Sequence, residues 1–185
     1  MQAGLEMHLG RGGYAGIARV ENGTANVCAL LPSTQGILPP GASLTDRLRA
    51  CGLNALAGRL TAAEEVTASR CGVSHFMTGW QQKTAGPALG DHCAIIPPFT
   101  GHGMSMALLA ALETAPILTK WSADSISWAE ACRQMESALR RRFSARLRWA
   151  AWLHPILLRS GGQALLSLMA RTGLVPWQWL YRRVR

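Results

Sequence analysis

Between Gly90 and Gly103 the chain reads Gly-Asp-His-Cys-Ala-Ile-Ile-Pro-Pro-Phe-Thr-Gly-His-Gly, and an apolar run from Met104 to Leu118 follows at once. No other stretch restricts the fold as tightly. Pro97 and Pro98 fix φ and remove two backbone donors, so regular structure must stop there. Gly101 and Gly103 permit a tight entry into the helix that the apolar run predicts. The first turn of a helix has N–H groups without intrahelical partners and carries partial positive charge. Glycines at that point let the electronegative edge of a ligand approach the backbone, and Asp91 adds a carboxylate acceptor just ahead of it. The segment therefore predicts a turn, a buried helix and, at the helix start, a place for an anion or an electron-rich ring. Gly-Asp and Pro-Pro are also ordinary turn residues, and the competing reading has Asp91 capping a local turn.

The string resembles the third FAD fingerprint of flavoprotein oxidoreductases with the aromatic-hydroxylase type of fold. That family includes FAD-dependent monooxygenases, halogenases and geranylgeranyl-reductase-like enzymes. The fingerprint runs Gly-Asp, a few small or apolar residues, Pro, then Gly-x-Gly and a helix. Gly90, Asp91, Pro98, Gly101 and Gly103 fall on it, with Met104, Ser105, Met106, Ala107 and Leu108 opening the helix. The resemblance implies FAD as cofactor and a binding set of Gly90, Asp91, Pro98, Gly101, His102, Gly103 and Met104. It implies that the Asp91 carboxylate accepts a hydrogen bond from a ribityl hydroxyl, a charge-assisted contact. Backbone N–H groups near Gly101, His102 and Gly103 would face the pyrimidine edge of the isoalloxazine, where the helix dipole stabilises negative charge. It identifies no catalytic side chain, because the flavin carries the chemistry. NAD(P)H is a candidate electron donor.

Where that family usually carries small residues after the Asp, this chain has His92 and Cys93, and His102 stands between the paired glycines. The three raise the question of a metal. Their spacing matches no structural zinc pattern and a fourth ligand at close range is missing, so no metal is expected.

With 185 residues, 49% of them hydrophobic, the chain is long enough for one domain with a sizeable core. The family holds the ADP half of FAD on a strand, a Gly-x-Gly-x-x-Gly turn and a helix. Here the glycines at 10, 12, 13 and 16 have the wrong spacing and follow no apolar strand of the parallel type. A hairpin turn explains them better. The family's middle fingerprint, an Asp-Gly segment near the flavin, is missing as well. The expectation is an α/β chain, more narrowly an α+β fragment, spanning only the C-terminal part of that flavoprotein fold. Residues 1–87 would form part of an antiparallel substrate domain, 88–120 the fingerprint strand-turn-helix, and 121–185 a basic helical region.

Local patterns fill in these regions. Leu5, Met7 and Leu9 alternate, Tyr14 to Val20 and Thr24 to Leu31 read as strands, and Glu21-Asn22-Gly23 is a hairpin turn between them. Tyr14 stands where the lipid-reducing relatives line their cavity with aromatics, but Gly16, Ala18 and Arg19 do not match that set. A buried strand aromatic and a substrate contact are both open for it. Ser43 and Asp46 have capping-box spacing ahead of a helix from Leu44 to about Leu56, with a second short helix near Ala62 to Val66. Val73 to Met77 reads as a strand, and Ala88 and Leu89 as the end of the strand that delivers Asp91. Met104 to Leu118 is apolar nearly all round, as in a helix buried against a sheet, with Pro116 limiting or kinking its last turn.

Beyond it, Ser127 and Glu130 have capping-box spacing, and Trp128, Cys132, Met135, Leu139, Phe143, Leu147 and Ala150 recur at helical period. From Arg133 to the end the chain has eleven arginines and one acidic residue, Glu136, so the net charge of +9 arises in this third. Trp149, Trp152, Trp177, Trp179 and Tyr181 are interleaved with arginines, a mixture suited to the boundary of a membrane surface. A solvated basic face with the tryptophans packed inward is the other reading. No nucleic-acid-binding module accompanies the charge, so nucleic acid is not expected.

Cys28, Cys51, Cys71, Cys93 and Cys132 are scattered, as reduced cytoplasmic thiols are. Two functional expectations follow. One is the flavin-facing portion of an FAD-dependent oxidoreductase, a monooxygenase or reductase, acting on a small organic or lipid-like substrate in the cytoplasm, with peripheral membrane contact through the basic Trp-rich end. The other is a non-catalytic basic helical module that binds a membrane surface or a protein partner.

Overall fold

The computed structural model describes residues 4–33, 38–39, 41–66, 69–73, 77–81 and 86–172. These residues form two compact units, 4–73 with 155–172, and 77–154. The fold class is α+β, rich in helix with small antiparallel sheets.

In the first unit, β1 (Leu5–Gly10), β2 (Gly13–Arg19) and β3 (Ala25–Leu30) make an antiparallel sheet in that order. The glycine cluster is a hairpin turn, with Gly10 opposite Gly13 and Gly12 at φ 72°, where an L side chain is strained. Arg11 at its tip donates its N–H to the Cys51 carbonyl at 2.8 Å. Asn22 and Gly23, with φ of 59° and 74°, turn the chain between β2 and β3. Tyr14 is buried, as expected of a strand aromatic.

The capping box before α1 (Leu44–Ala50) closes in both directions: Ser43 Oγ accepts from the Asp46 N–H and Asp46 Oδ2 accepts from the Ser43 N–H, each at 3.2 Å. The helix does not run on to Leu56. It breaks at Cys51 and Gly52, and α2 (Asn54–Thr61) starts in a new direction. The break lets Leu48 from one helix and Leu53, Leu56 and Ala57 from the other pack with Ala15 and Ile17 of β2 into one core. The helix expected at Ala62 to Val66 is absent: these residues are all exposed, with no apolar surface to reward helix formation. Ser160–Arg171 forms α5, whose Gln163 Nε2 donates to the carbonyls of Gly10 and Leu157 at 2.8 and 2.6 Å.

The second unit pairs two short strands, β4 (Gly79–Trp80) and β5 (Ala94–Ile95), and packs α3 (Gly103–Ser122) on the portion of α4 (Trp128–Leu158) up to His154. The strand expected at Val73 to Met77 is not formed at its two ends, both highly exposed, and residues 74–76 lie outside the described residues. Ala88 and Leu89 are not a strand either, and a 3-10 turn at Gly90–His92 precedes β5 instead.

The apolar helix exists, yet it is not buried all round. Met106, Ala110 and Thr114 are buried, whereas Met104, Leu108 and Leu112 are 83%, 70% and 71% exposed. Two-residue strands are too small to cover a helix of 20 residues, so α4 receives one face of it and the opposite face stays open. The buried Thr114 hydroxyl is satisfied by the Ala110 carbonyl at 2.8 Å.

Pro116 does not end α3, and Pro155 lies inside α4 in the same way. The carbonyls that lose a donor belong to Leu112 and Ala151, both exposed residues, and water can take the donor's place. The α4 periodicity holds: Met135, Leu139, Phe143, Leu147 and Ala150 are buried, while Trp128 at the first turn is exposed and packs with Trp121 at 4.8 Å. Ser127 Oγ caps the helix by accepting from the Glu130 N–H at 3.2 Å. No helix among the described residues is long and apolar enough to cross a membrane.

Candidate functional site

The Gly-Asp turn and the Gly-His-Gly helix start both lie in the second unit. Gly90 has φ 57°, and a Cβ there would sit 3.6 Å from the Ala107 Cβ, so the Gly90–His92 turn packs on the second turn of α3. The turn is closed by its backbone, the Cys93 N–H donating to the Gly90 carbonyl at 3.0 Å. Asp91 therefore has no capping duty in this turn, and its carboxylate is exposed.

The following 3-10 turn, Pro98–Thr100, is locked at both ends. Pro97 is fully buried, and its carbonyl accepts from the N–H of Thr100 at 3.1 Å and from its hydroxyl at 3.0 Å. Pro98 is exposed and accepts from the Gly101 N–H at 3.1 Å. Gly101 then takes φ 65°, the left-handed conformation that turns the chain into α3. His102 is the N-cap residue, its own N–H donating to Thr100 Oγ1 at 3.3 Å and its carbonyl accepting from Met106 at 2.9 Å.

The N-cap residue, His102, makes no side-chain capping hydrogen bond to the first turn of α3. A Cβ placed on Gly101 or on Gly103 would meet nothing within 4 Å, and Met104 beside them is exposed. The helix start is thus an open backbone face at the positive end of a long dipole. All seven residues named for the cofactor, from Gly90 to Met104, lie within one turn-turn-helix segment, with the turn of Asp91 held against α3.

His92, Cys93 and His102, the three that raised the question of a metal, do not come together. His102 is half-buried at the N-cap. His92 and Cys93 line a cavity on the α4 side together with Trp80, Cys132, Met135 and Leu139. Among the described residues no three His, Cys, Asp or Glu are grouped to hold a metal. Burial pushes the Cys93 thiol up from its ordinary pKa, only partly offset by the Arg140 guanidinium, so this sulfur favours its neutral form. His154, stacked on Phe99 with ring centroids 5.9 Å apart, is held below the ordinary imidazole pKa by desolvation.

The cavity walls were not legible as a site. Trp80 and Arg140 are sixty positions apart in sequence, yet the Arg140 guanidinium carbon lies 4.9 Å from the centre of the Trp80 ring. The one signal in the sequence was Cys132 and Met135 on the apolar stripe of α4, which core packing explains equally well.

No protein-family model, curated protein or solved structure matches the chain.

Proposed function

We propose that residues 90–104 hold the ribityl and isoalloxazine portion of FAD, in an FAD-dependent oxidoreductase of the aromatic-hydroxylase type of fold. The observation that carries this reading is the uncapped, side-chain-free helix start at Gly101 and Gly103, with the exposed Asp91 carboxylate on a turn packed against the same helix. These residues fit the group: a ring edge can approach the Gly103 and Met104 N–H groups, and Asp91 can accept from a sugar hydroxyl. The bound flavin would supply monooxygenase or reductase chemistry toward a small organic or lipid-like substrate, with NAD(P)H as the candidate donor. The chain's own contribution is orientation and a fixed positive end facing the ring edge.

Riboflavin, which has the ring and the ribityl chain without the ADP half, tests this directly. Its fluorescence should be quenched on titration with the full chain. Asp91→Ala should weaken binding by about 1.5–3 kcal/mol, the worth of a hydrogen bond to a charged group. A flat titration, or an unchanged affinity in the variant, would remove the reading.

A second reading, contact with an anionic membrane surface, is favoured by the outer face of α4. Arg141, Arg148 and Trp152 lie on one side of the helix, and Trp152 is 57% exposed with its ring edge-on to Trp149 at 5.6 Å. Arg133, Arg140 and Arg142 are instead engaged with Glu130, Glu136 and Glu113. Trp177, Trp179, Tyr181 and the last arginines lie outside the described residues. Flotation with phosphatidylserine vesicles should carry the chain upward, and Arg148→Ser with Trp152→Ser should reduce the floated fraction severalfold. Equal flotation of the double variant would exclude this face.

A further inference from the structure

A cavity beside the Gly-Asp turn has walls that include neither Asp91 nor the helix start. It has a volume of about 300 Å³, the lower end of the range for small-molecule pockets. Trp80 of β4 and Gln81 after it, the 86–88 segment, His92 and Cys93 at the end of the turn, and one face of α4 from Cys132 to Arg140 line it.

Its charged groups are already matched. Arg140 Nε donates to Glu136 at 3.0 Å while the guanidinium lies over Trp80. Arg133 donates through Nε and Nη2 to Glu130, and its side chain is 70% exposed, at the cavity mouth rather than in its floor. Gln81 Nε2 is occupied by the carbonyls of Met77 and Gly79 at 2.8 and 3.0 Å. Each arginine on the lining already has a carboxylate beside it, so the lining carries no excess charge to favour an ion.

The remaining wall is soft and polarisable. Cys93, Cys132 and Met135 line the space with Trp80, Pro87, Ala88 and Leu139. Sulfur makes favourable contacts with aromatic rings, on the order of 0.3–1.5 kcal/mol each, and an indole wall adds offset or edge-on ring packing. Burial pushes the Cys93 thiol toward its neutral form, so it packs as part of this wall and alkylates slowly through the small thiolate fraction. His92 stands exposed at the rim, where an imidazole can exchange one hydrogen bond with a ligand hydroxyl or ring N–H.

We propose that this cavity binds a small neutral aromatic molecule of one or two rings, carrying a single hydroxyl or ring N–H directed to His92. Three sulfurs and an indole hold the ring, and the paired arginines give no advantage to an anion. The site stands independently of the flavin reading.

The thiols on its walls report occupancy. Iodoacetamide labelling of the full chain, read position by position by mass spectrometry, should show Cys93 and Cys132 slowed about tenfold when 1-naphthol is present at about ten times its Kd. Cys28 and Cys71, both exposed, should label at unchanged rates, and the urea midpoint read by tryptophan fluorescence reports whether the unit that holds the cavity stays folded, since Trp80, Trp121, Trp128, Trp149 and Trp152 all lie in it. Ala88→Phe, which fills the cavity from a half-buried loop position, should abolish the protection while leaving the tryptophan-detected urea midpoint close to that of the parent. His92→Ala should weaken protection by 1-naphthol but not by naphthalene. Three results overturn the proposal: no selective slowing of Cys93 and Cys132, equal protection in Ala88→Phe, or stronger protection by 1-naphthoate than by 1-naphthol.

Discussion

Phe143→Ala is expected to cost about 3–5 kcal/mol of unfolding free energy, the range for truncating a fully buried phenylalanine. Phe143 is 2% exposed and stands in the core where α4 meets α3 and β5, with Leu139, Leu147, Met106, Ala110 and Ile96 around it. Its neighbours include small residues on both helices, Ala110 and Ala150, which have no side-chain reach to fill the space left by the ring. The cavity term should therefore add fully to the lost transfer energy. Urea denaturation followed by tryptophan fluorescence is the right measurement, because every tryptophan among the described residues, Trp80, Trp121, Trp128, Trp149 and Trp152, lies in the same unit. For comparison, Arg141→Ala on the solvent side of the same helix should stay within about 0.5 kcal/mol of the parent. A loss below about 1 kcal/mol for Phe143→Ala would mean that α3 and α4 do not share this core.

Much of this packing was readable in advance, for physical reasons that differ by element. The α4 stripe was legible because one amphipathic period runs unbroken from Met135 to Ala150 and no other element competes for it. The hairpins were legible because Gly12 and the Asn22-Gly23 pair need left-handed backbone that few other residues accept. The entry into α3 was legible because Pro97, Pro98 and Gly101 leave the chain little choice. What was lost lies in tertiary geometry. The break at Cys51 and Gly52 carries one local mark, Gly52, whose φ of 79° ends α1 in a left-handed glycine cap; what the sequence does not show is that both helices then meet one strand. The exposure of Met104, Leu108 and Leu112 is equally invisible, since an apolar stripe does not say how much partner surface awaits it. Around the candidate site, the turns and the helix start were legible from the order of Gly-Asp, Pro and Gly-x-Gly. The neighbouring cavity was not, because its walls join residues from β4, a turn and α4.

Gly10→Val is the second large effect, and it acts on the other unit. A Cβ at position 10 would lie 2.7 Å from the Cys51 carbonyl oxygen and 2.9 Å from Leu53 Cγ. Leu53 can change rotamer, but the oxygen cannot withdraw: it accepts the Arg11 N–H at 2.8 Å and ends the helix whose Leu48 and Cys51 are in the core. The Gly10 carbonyl also accepts from Gln163 Nε2, so shifting the hairpin breaks a second contact. Overpacking of this kind costs about 1–3 kcal/mol, and a β-branched side chain against backbone belongs at the upper end. The buried Cys51 thiol is the natural reporter, because it labels only when this unit opens. Its alkylation under native conditions should accelerate about tenfold for each 1.4 kcal/mol lost. Gly16→Ala, one pleat further along the sheet, meets only the Glu6 carbonyl oxygen at 3.9 Å and should leave Cys51 as protected as in the parent or more so. If both substitutions left the labelling rate unchanged, the close seating of the hairpin tip on the α1–α2 turn would be wrong. If Gly16→Ala accelerated it as much as Gly10→Val, the effect would be one of strand glycines in general and not of the contact with Cys51.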